Sequence, residues 1–73
     1  MIIIKLAAKM KEEGYNISTL AIAAGLHRNG ISKILNGKNN GIEYDTLSKL
    51  CAALKCNVQD IIEFVEDENS IQE

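Results

Sequence analysis

Apolar residues recur along the chain at the three- and four-residue spacing of helical faces. Ile3, Leu6, Ala7 and Met10 follow this spacing and Gly14 offers a stop after Glu13, which predicts a first helix. Its start is open, because the β-branched triplet Ile2-Ile3-Ile4 also suits a short strand. Asn16 can cap a second helix with its side-chain carbonyl, and Leu20, Ala21 and Ala24 give that helix one small packing face. Gly25 supplies the left-handed conformation that ends it. After Leu26 and His27 the pattern resumes with Ile31, Ile34 and Leu35, and Asn36-Gly37 closes the third helix. A polar loop follows at 38–41. Asp45 then caps a fourth helix with Leu47, Leu50, Cys51 and Leu54 on one face. Asn57 caps a fifth carrying Val58, Ile61, Ile62 and Val65. The expectation is an all-α, compact five-helix domain over residues 1–65, with an acidic tail at 66–73 that frays or waits for a partner.

With 73 residues the chain has room for one domain, and its two cysteines provide no disulfide framework to replace a core. No apolar run is long enough to span a bilayer, and Lys5 interrupts the opening apolar stretch, so a cytoplasmic location with no membrane partner is expected. The net charge of −2 conceals an asymmetry. Residues 1–41 carry Lys5, Lys9, Lys11, Arg28, Lys33 and Lys38 against Glu12 and Glu13, whereas acids dominate residues 42–73. Such a polar molecule has one half fit to meet an anion.

Within that half, the second and third predicted helices meet at a glycine-containing turn. Ala21 and Ala24 allow close approach, Gly25 makes the turn, and Arg28, Asn29, Ser32 and Lys33 form a polar stripe on the helix that follows. This is the arrangement of a helix-turn-helix whose second helix enters the DNA major groove. Arg28 is suited to guanine O6 and N7, and Asn29 to adenine N6 and N7. The start of the second helix presents free amides and a positive dipole end to phosphate, with Asn16 and Ser18 adding side-chain donors.

Residues 16–38, Asn-Ile-Ser-Thr-Leu-Ala-Ile-Ala-Ala-Gly-Leu-His-Arg-Asn-Gly-Ile-Ser-Lys-Ile-Leu-Asn-Gly-Lys, resemble the helix-turn-helix of the Cro and lambda-repressor-type (xenobiotic-response-element) regulators. The stretch from Ile42 to Ile62 resembles that family's fourth and fifth helices. The resemblance implies that Ser18, Thr19, Lys38 and Asn39 meet phosphates while Arg28, Asn29, Ser32 and Lys33 face bases. His27 can also donate to a phosphate. Three positions depart from the family pattern. Ile17 stands where the family usually has glutamine, and His27 replaces the usual serine or threonine cap. Gly30 lies inside the recognition helix, at a cost of about 1 kcal/mol relative to alanine.

A single recognition helix reads few base pairs, so the resemblance implies a homodimer on an inverted-repeat operator, placing two such helices about 34 Å apart. Phe64, Val65 and Ile71 are the candidate dimer surface, with an Ile2–Ile4 strand as the alternative. The function expected is that of a small transcriptional regulator acting alone on double-stranded DNA, as a repressor. Two rival classes are a protein-interaction module, such as an antitoxin or anti-repressor, and a nonspecific DNA binder. Little in the chain suits an enzyme, a small-molecule substrate, a cofactor or a metal. It has one histidine, and Gly37-Lys38 lacks the other residues of a phosphate loop. Cys51 and Cys56, five residues apart, do not share a helix face and read as small hydrophobes.

Overall fold

A computed structural model describes residues 1–37 and 41–66. The chain runs through strand β1 (Ile2–Ile4), helices α1 (Leu6–Glu13), α2 (Ile17–Ala24), α3 (Arg28–Leu35) and α4 (Tyr44–Leu54), a single 3-10 turn (Val58–Asp60), and strand β2 (Ile62–Phe64). Helices dominate, but the domain is not all-α, and a two-stranded antiparallel sheet replaces the fifth helix.

The segment after α4 has helical spacing at Val58, Ile61, Ile62 and Val65, yet it forms only one turn before extending. The Asp60 carboxylate accepts a hydrogen bond from the Asn57 backbone N–H at 3.0 Å, and the Asp60 N–H donates to the Asn57 carbonyl at 3.0 Å. These bonds fix the turn. Beyond it the β-branched and aromatic residues find a partner in Ile2-Ile3-Ile4, with Ile2 opposite Phe64, Ile3 opposite Glu63 and Ile4 opposite Ile62. The open choice for residues 2–4 is thereby resolved as strand. Tertiary pairing decides both segments together, as is usual for β preference. Chain ends flank the ladder: the Val65 N–H donates to the Met1 carbonyl at 2.8 Å, and the Lys5 N–H donates to the Ile61 carbonyl at 2.6 Å.

The core lies where the four helices meet the sheet. Leu6, Leu20, Ile31, Leu50, Leu54 and Ile61 are fully buried, with Met10, Ala21 and Ile34 filling around them. The buried residues of α2, α3 and α4 fall on their predicted apolar faces, while α1 buries Leu6 and Met10 and leaves the expected Ala7 exposed. Ala21 and Ala24 let α2 approach α3, and Gly25 at φ 70° reverses the chain between them. One expected cap moves: α4 begins at Tyr44 after Glu43, so Asp45 lies in the first turn and pairs with Lys49 at 3.1 Å.

Candidate nucleic-acid interface

The entry to α2 is the most completely satisfied helix start in the molecule. The Thr19 N–H donates to the Asn16 Oδ1 at 2.8 Å, and the Asn16 N–H donates to the Thr19 Oγ1 at 2.9 Å. The Thr19 hydroxyl also donates to the Asn16 carbonyl at 3.2 Å. This reciprocal box gives Asn16 and Thr19 a structural task that competes with their expected phosphate contacts. Ser18 stands differently: its Oγ accepts a hydrogen bond from the Arg28 Nη1 at 3.1 Å. The start of α2 is thus tied to the start of α3 by a side-chain bridge across the turn.

Helix α3 buries Ile31 and Ile34 and turns its polar stripe outward. At 100° per residue, Asn29 and Lys33 lie opposite the buried face, while Arg28 and Ser32 flank them on the α2 side. Both Asn29 and Lys33 are exposed, as is Arg28, and Ser32 is half-buried. Ile17, Ser18, Arg28, Asn29 and Ser32 line one shallow cleft of about 310 Å³ between the two helices. Lys33 belongs to the other flank, where a cleft of about 480 Å³ is lined by His27, Gly30, Lys33 and, from the start of α4, Glu43 and Thr46. The four expected base-reading side chains therefore share one helix surface but divide between two grooves.

His27 precedes α3 in an extended conformation and makes no side-chain cap, leaving its exposed imidazole at the helix start. Its carbonyl accepts from Gly30 and Ile31 instead. A Cβ at Gly30 would meet nothing within 4 Å, so the notch in the helix surface is open. Lys38, Asn39 and Ile71 lie outside the described residues.

Two features of this surface were not read from the sequence. Asn36, taken only as a closing residue, extends the outward ridge by one turn and donates from Nδ2 to the Ser32 Oγ at 3.3 Å. Ile22, 81% exposed on α2, lines the cleft of about 560 Å³ that also takes in Ser18, His27, Arg28 and Asn29. Its signal was present, since Ile22 falls opposite the Leu20, Ala21 and Ala24 face.

Lys9 is held by Glu12 and Glu13 at 2.7 and 3.6 Å, and Lys5 by Glu63 at 3.3 Å. Among the described residues Arg28 and Lys33 have no carboxylate within 4 Å, so their charge is directed outward. Among those residues, too, no helix is long and apolar enough to cross a membrane, and no three His, Cys, Asp or Glu side chains cluster as a metal site would need.

The sequence pattern of the Cro/C1-type HTH DNA-binding domain matches residues 5–67, most of the chain. The chain is also similar to an uncharacterized HTH-type transcriptional regulator, YozG, of Bacillus subtilis (strain 168). The two are 30% identical over 69 residues, which cover 94% of this chain and 82% of that protein.

Proposed function

Because the chain belongs to the Cro/C1-type helix-turn-helix family of DNA-binding domains, we propose that it is a sequence-specific regulator of transcription that represses by occupying a promoter. The observation that carries the reading is the polar side of α3, where Arg28, Asn29 and Ser32 line one cleft with Ser18 and Arg28 is braced on α2 through the Ser18 hydroxyl. Arg28 reads guanine through O6 and N7, Asn29 reads adenine, and Ser32 and Lys33 contact neighbouring base edges. Ser18, the amides at the start of α2, and His27 receive phosphates and fix the register. Asn16 contributes its remaining amide donors and Thr19 its place in the cap, while Lys38 and Asn39 add backbone contacts on the grounds of sequence.

The regulator binds as a homodimer on an inverted repeat. What supports this is the apolar surface at the sheet: Ile2 is 59% and Phe64 is 69% exposed, and they sit opposite each other in the ladder. Val65 follows Phe64 in the chain, and Ile71, outside the described residues, is included on sequence grounds. The proposed dimer surface therefore draws on both expected segments, with Ile2 from one strand and Phe64 from the other.

Selection from a randomised duplex library at about 0.15 M salt tests the proposal. Enrichment of an inverted repeat with half-sites about 34 Å apart supports it. Binding without enrichment that disappears as salt rises makes the chain a nonspecific DNA binder, and no binding at low salt makes it a protein-interaction module.

A further inference from the structure

The two cysteines, five residues apart in sequence, are brought together by the way α4 ends. Lys55 takes a left-handed conformation at φ 54°, and the chain reverses over it. The next amide, on Cys56, donates to the Cys51 carbonyl at 3.1 Å. This is the six-to-one hydrogen bond of a Schellman-type helix end, whose two bonded residues characteristically place their side chains in contact. Here both are cysteines. The turn therefore brings the two side chains to the same end of α4. The expectation from sequence that they point to separate faces holds for a continuing helix and fails once the chain turns back.

Both thiols are half-buried rather than sealed in the core. They line a shallow groove of about 510 Å³ with Tyr44, Leu47, Val58 and Ile62. Asp60 and Lys9 are the charged groups nearest Cys56.

We propose that Cys51 and Cys56 form a dithiol modification site, which a small aliphatic disulfide such as oxidised glutathione closes to an intrachain disulfide. One protein thiolate attacks a glutathione sulfur, the glutathione S–S bond breaks, and one glutathione thiolate leaves, creating a mixed disulfide. The second protein thiolate attacks the protein sulfur of that intermediate and expels the other glutathione thiolate. The protein loses two electrons, oxidised glutathione gains them, and the two thiol protons end on the two glutathione thiols. Burial pushes the Cys56 thiol above its ordinary range, with the neighbouring Cys51 and Asp60 adding to the effect. Either thiol can open the exchange, and the other resolves the mixed disulfide.

The test equilibrates the full chain with graded mixtures of reduced and oxidised glutathione and reads intact mass after acid quenching. The expected product is a monomer lighter by two hydrogen atoms, with no lasting glutathione adduct. Cys56→Ser is expected to stop at the glutathione adduct on Cys51. The closed form is expected to persist under a glutathione poise at which the same chain in denaturant is open, a shift in the exchange constant of roughly tenfold or more. Lasting adducts on the unaltered chain, disulfide-linked dimers as the main product, or equal closure in folded and denatured chain would each overturn the proposal.

Discussion

The Arg28 guanidinium donates to the Ser18 hydroxyl at 3.1 Å, joining the first turn of the recognition helix to the first turn of the helix before it. An arginine left alone on an exposed surface samples many rotamers, and binding must then order it at an entropic cost. The bridge reduces that cost by limiting the orientations of the guanidinium at the start of α3. Arg28→Ala is expected to weaken operator binding by about 1–3 kcal/mol and to relax preference at one base pair. Ser18→Ala, which keeps the arginine and releases its support, is expected to cost less affinity while broadening the same position. Fluorescence anisotropy against an operator and its single-base variants separates the two. Equal binding of all variants by unaltered protein would remove Arg28 from its role.

Asn16 shows how a residue in the interface serves the fold. Its side chain satisfies an α2 amide that has no partner within the helix, and Thr19 returns the bond. Asn16→Ala is expected to lower stability by about 1 kcal/mol. In a domain of this size that corresponds to a drop of about 4–8 °C in Tm. Asn16→Asp keeps the acceptor and is expected to retain the stability but weaken DNA binding, since a carboxylate would face phosphate. Thermal unfolding and anisotropy on the two variants distinguish the capping task from the phosphate contact.

Much of this architecture was legible in the residue pattern. The helix stops at Gly14 and Gly25, the Asn16 cap, and the buried faces of α2, α3 and α4 follow from local chemistry that needs no distant partner. The Val58–Val65 segment was misread because Val58, Ile61, Ile62 and Val65 satisfy helical spacing, while its actual state depends on Ile2–Ile4, some sixty residues away in sequence. Spacing also cannot show a side-chain bridge across a turn, which is why the Ser18–Arg28 pair and the contribution of Asn36 emerge only in three dimensions. The left-handed residue at Lys55 was hidden for a similar reason, since lysine carries no signal for that conformation.

Two left-handed helix ends predict substitutions of opposite sign. Gly25 has φ 70°, and a Cβ there would touch nothing within 4 Å, so the penalty of Gly25→Ala is conformational rather than steric with neighbours. It is expected to destabilise the domain by about 1–2 kcal/mol. Lys55 already bears that conformation with a side chain, at φ 54° and ψ 51°. Lys55→Gly relieves the strain and is expected to raise stability by up to about 1 kcal/mol, the gain being reduced by the greater freedom of glycine in the unfolded chain. Urea denaturation of both variants checks the signs. A stabilised Gly25→Ala would contradict the turn geometry.

Lys9 supplies a pH test. Its ammonium donates to the Glu12 Oε1 at 2.7 Å, and that hydrogen bond raises its pKa above 10.5 against the opposing effect of desolvation, with the Glu12, Glu13 and Asp60 charges adding to the rise. The charged form is favoured in the folded chain. Its contribution to stability is therefore complete below the unfolded value of 10.5 and is lost as pH rises through the folded value. The difference in stability between the unaltered chain and Lys9→Met is expected to hold steady from neutral pH to about 10 and then to shrink. The pair is on the surface, so the effect is small and weakens in salt. Side-chain NMR of Lys9 is expected to show titration above the ordinary lysine value.

Ile2 and Phe64 face one another across the sheet, and Ile4 and Ile62 form the next pair on the same face. The inner pair is half-buried on the core, whereas the outer pair stands in solvent. Among the described residues, the apolar face of the sheet thus continues past the edge of the core without a cover. Covering it with the same face of a second copy would remove both exposed pairs from water at once. Phe64→Ser should leave the isolated protomer close to its original stability, because little burial is lost there. In the dimer the loss occurs twice, at about 1.5–3 kcal/mol for each buried aromatic side chain. Dimer dissociation is then expected to be easier by at least about a hundredfold. Sedimentation equilibrium measures this directly, and DNA binding should fall in parallel at protein concentrations where the variant is monomeric. A variant that remains dimeric with unchanged affinity would place the partner surface elsewhere.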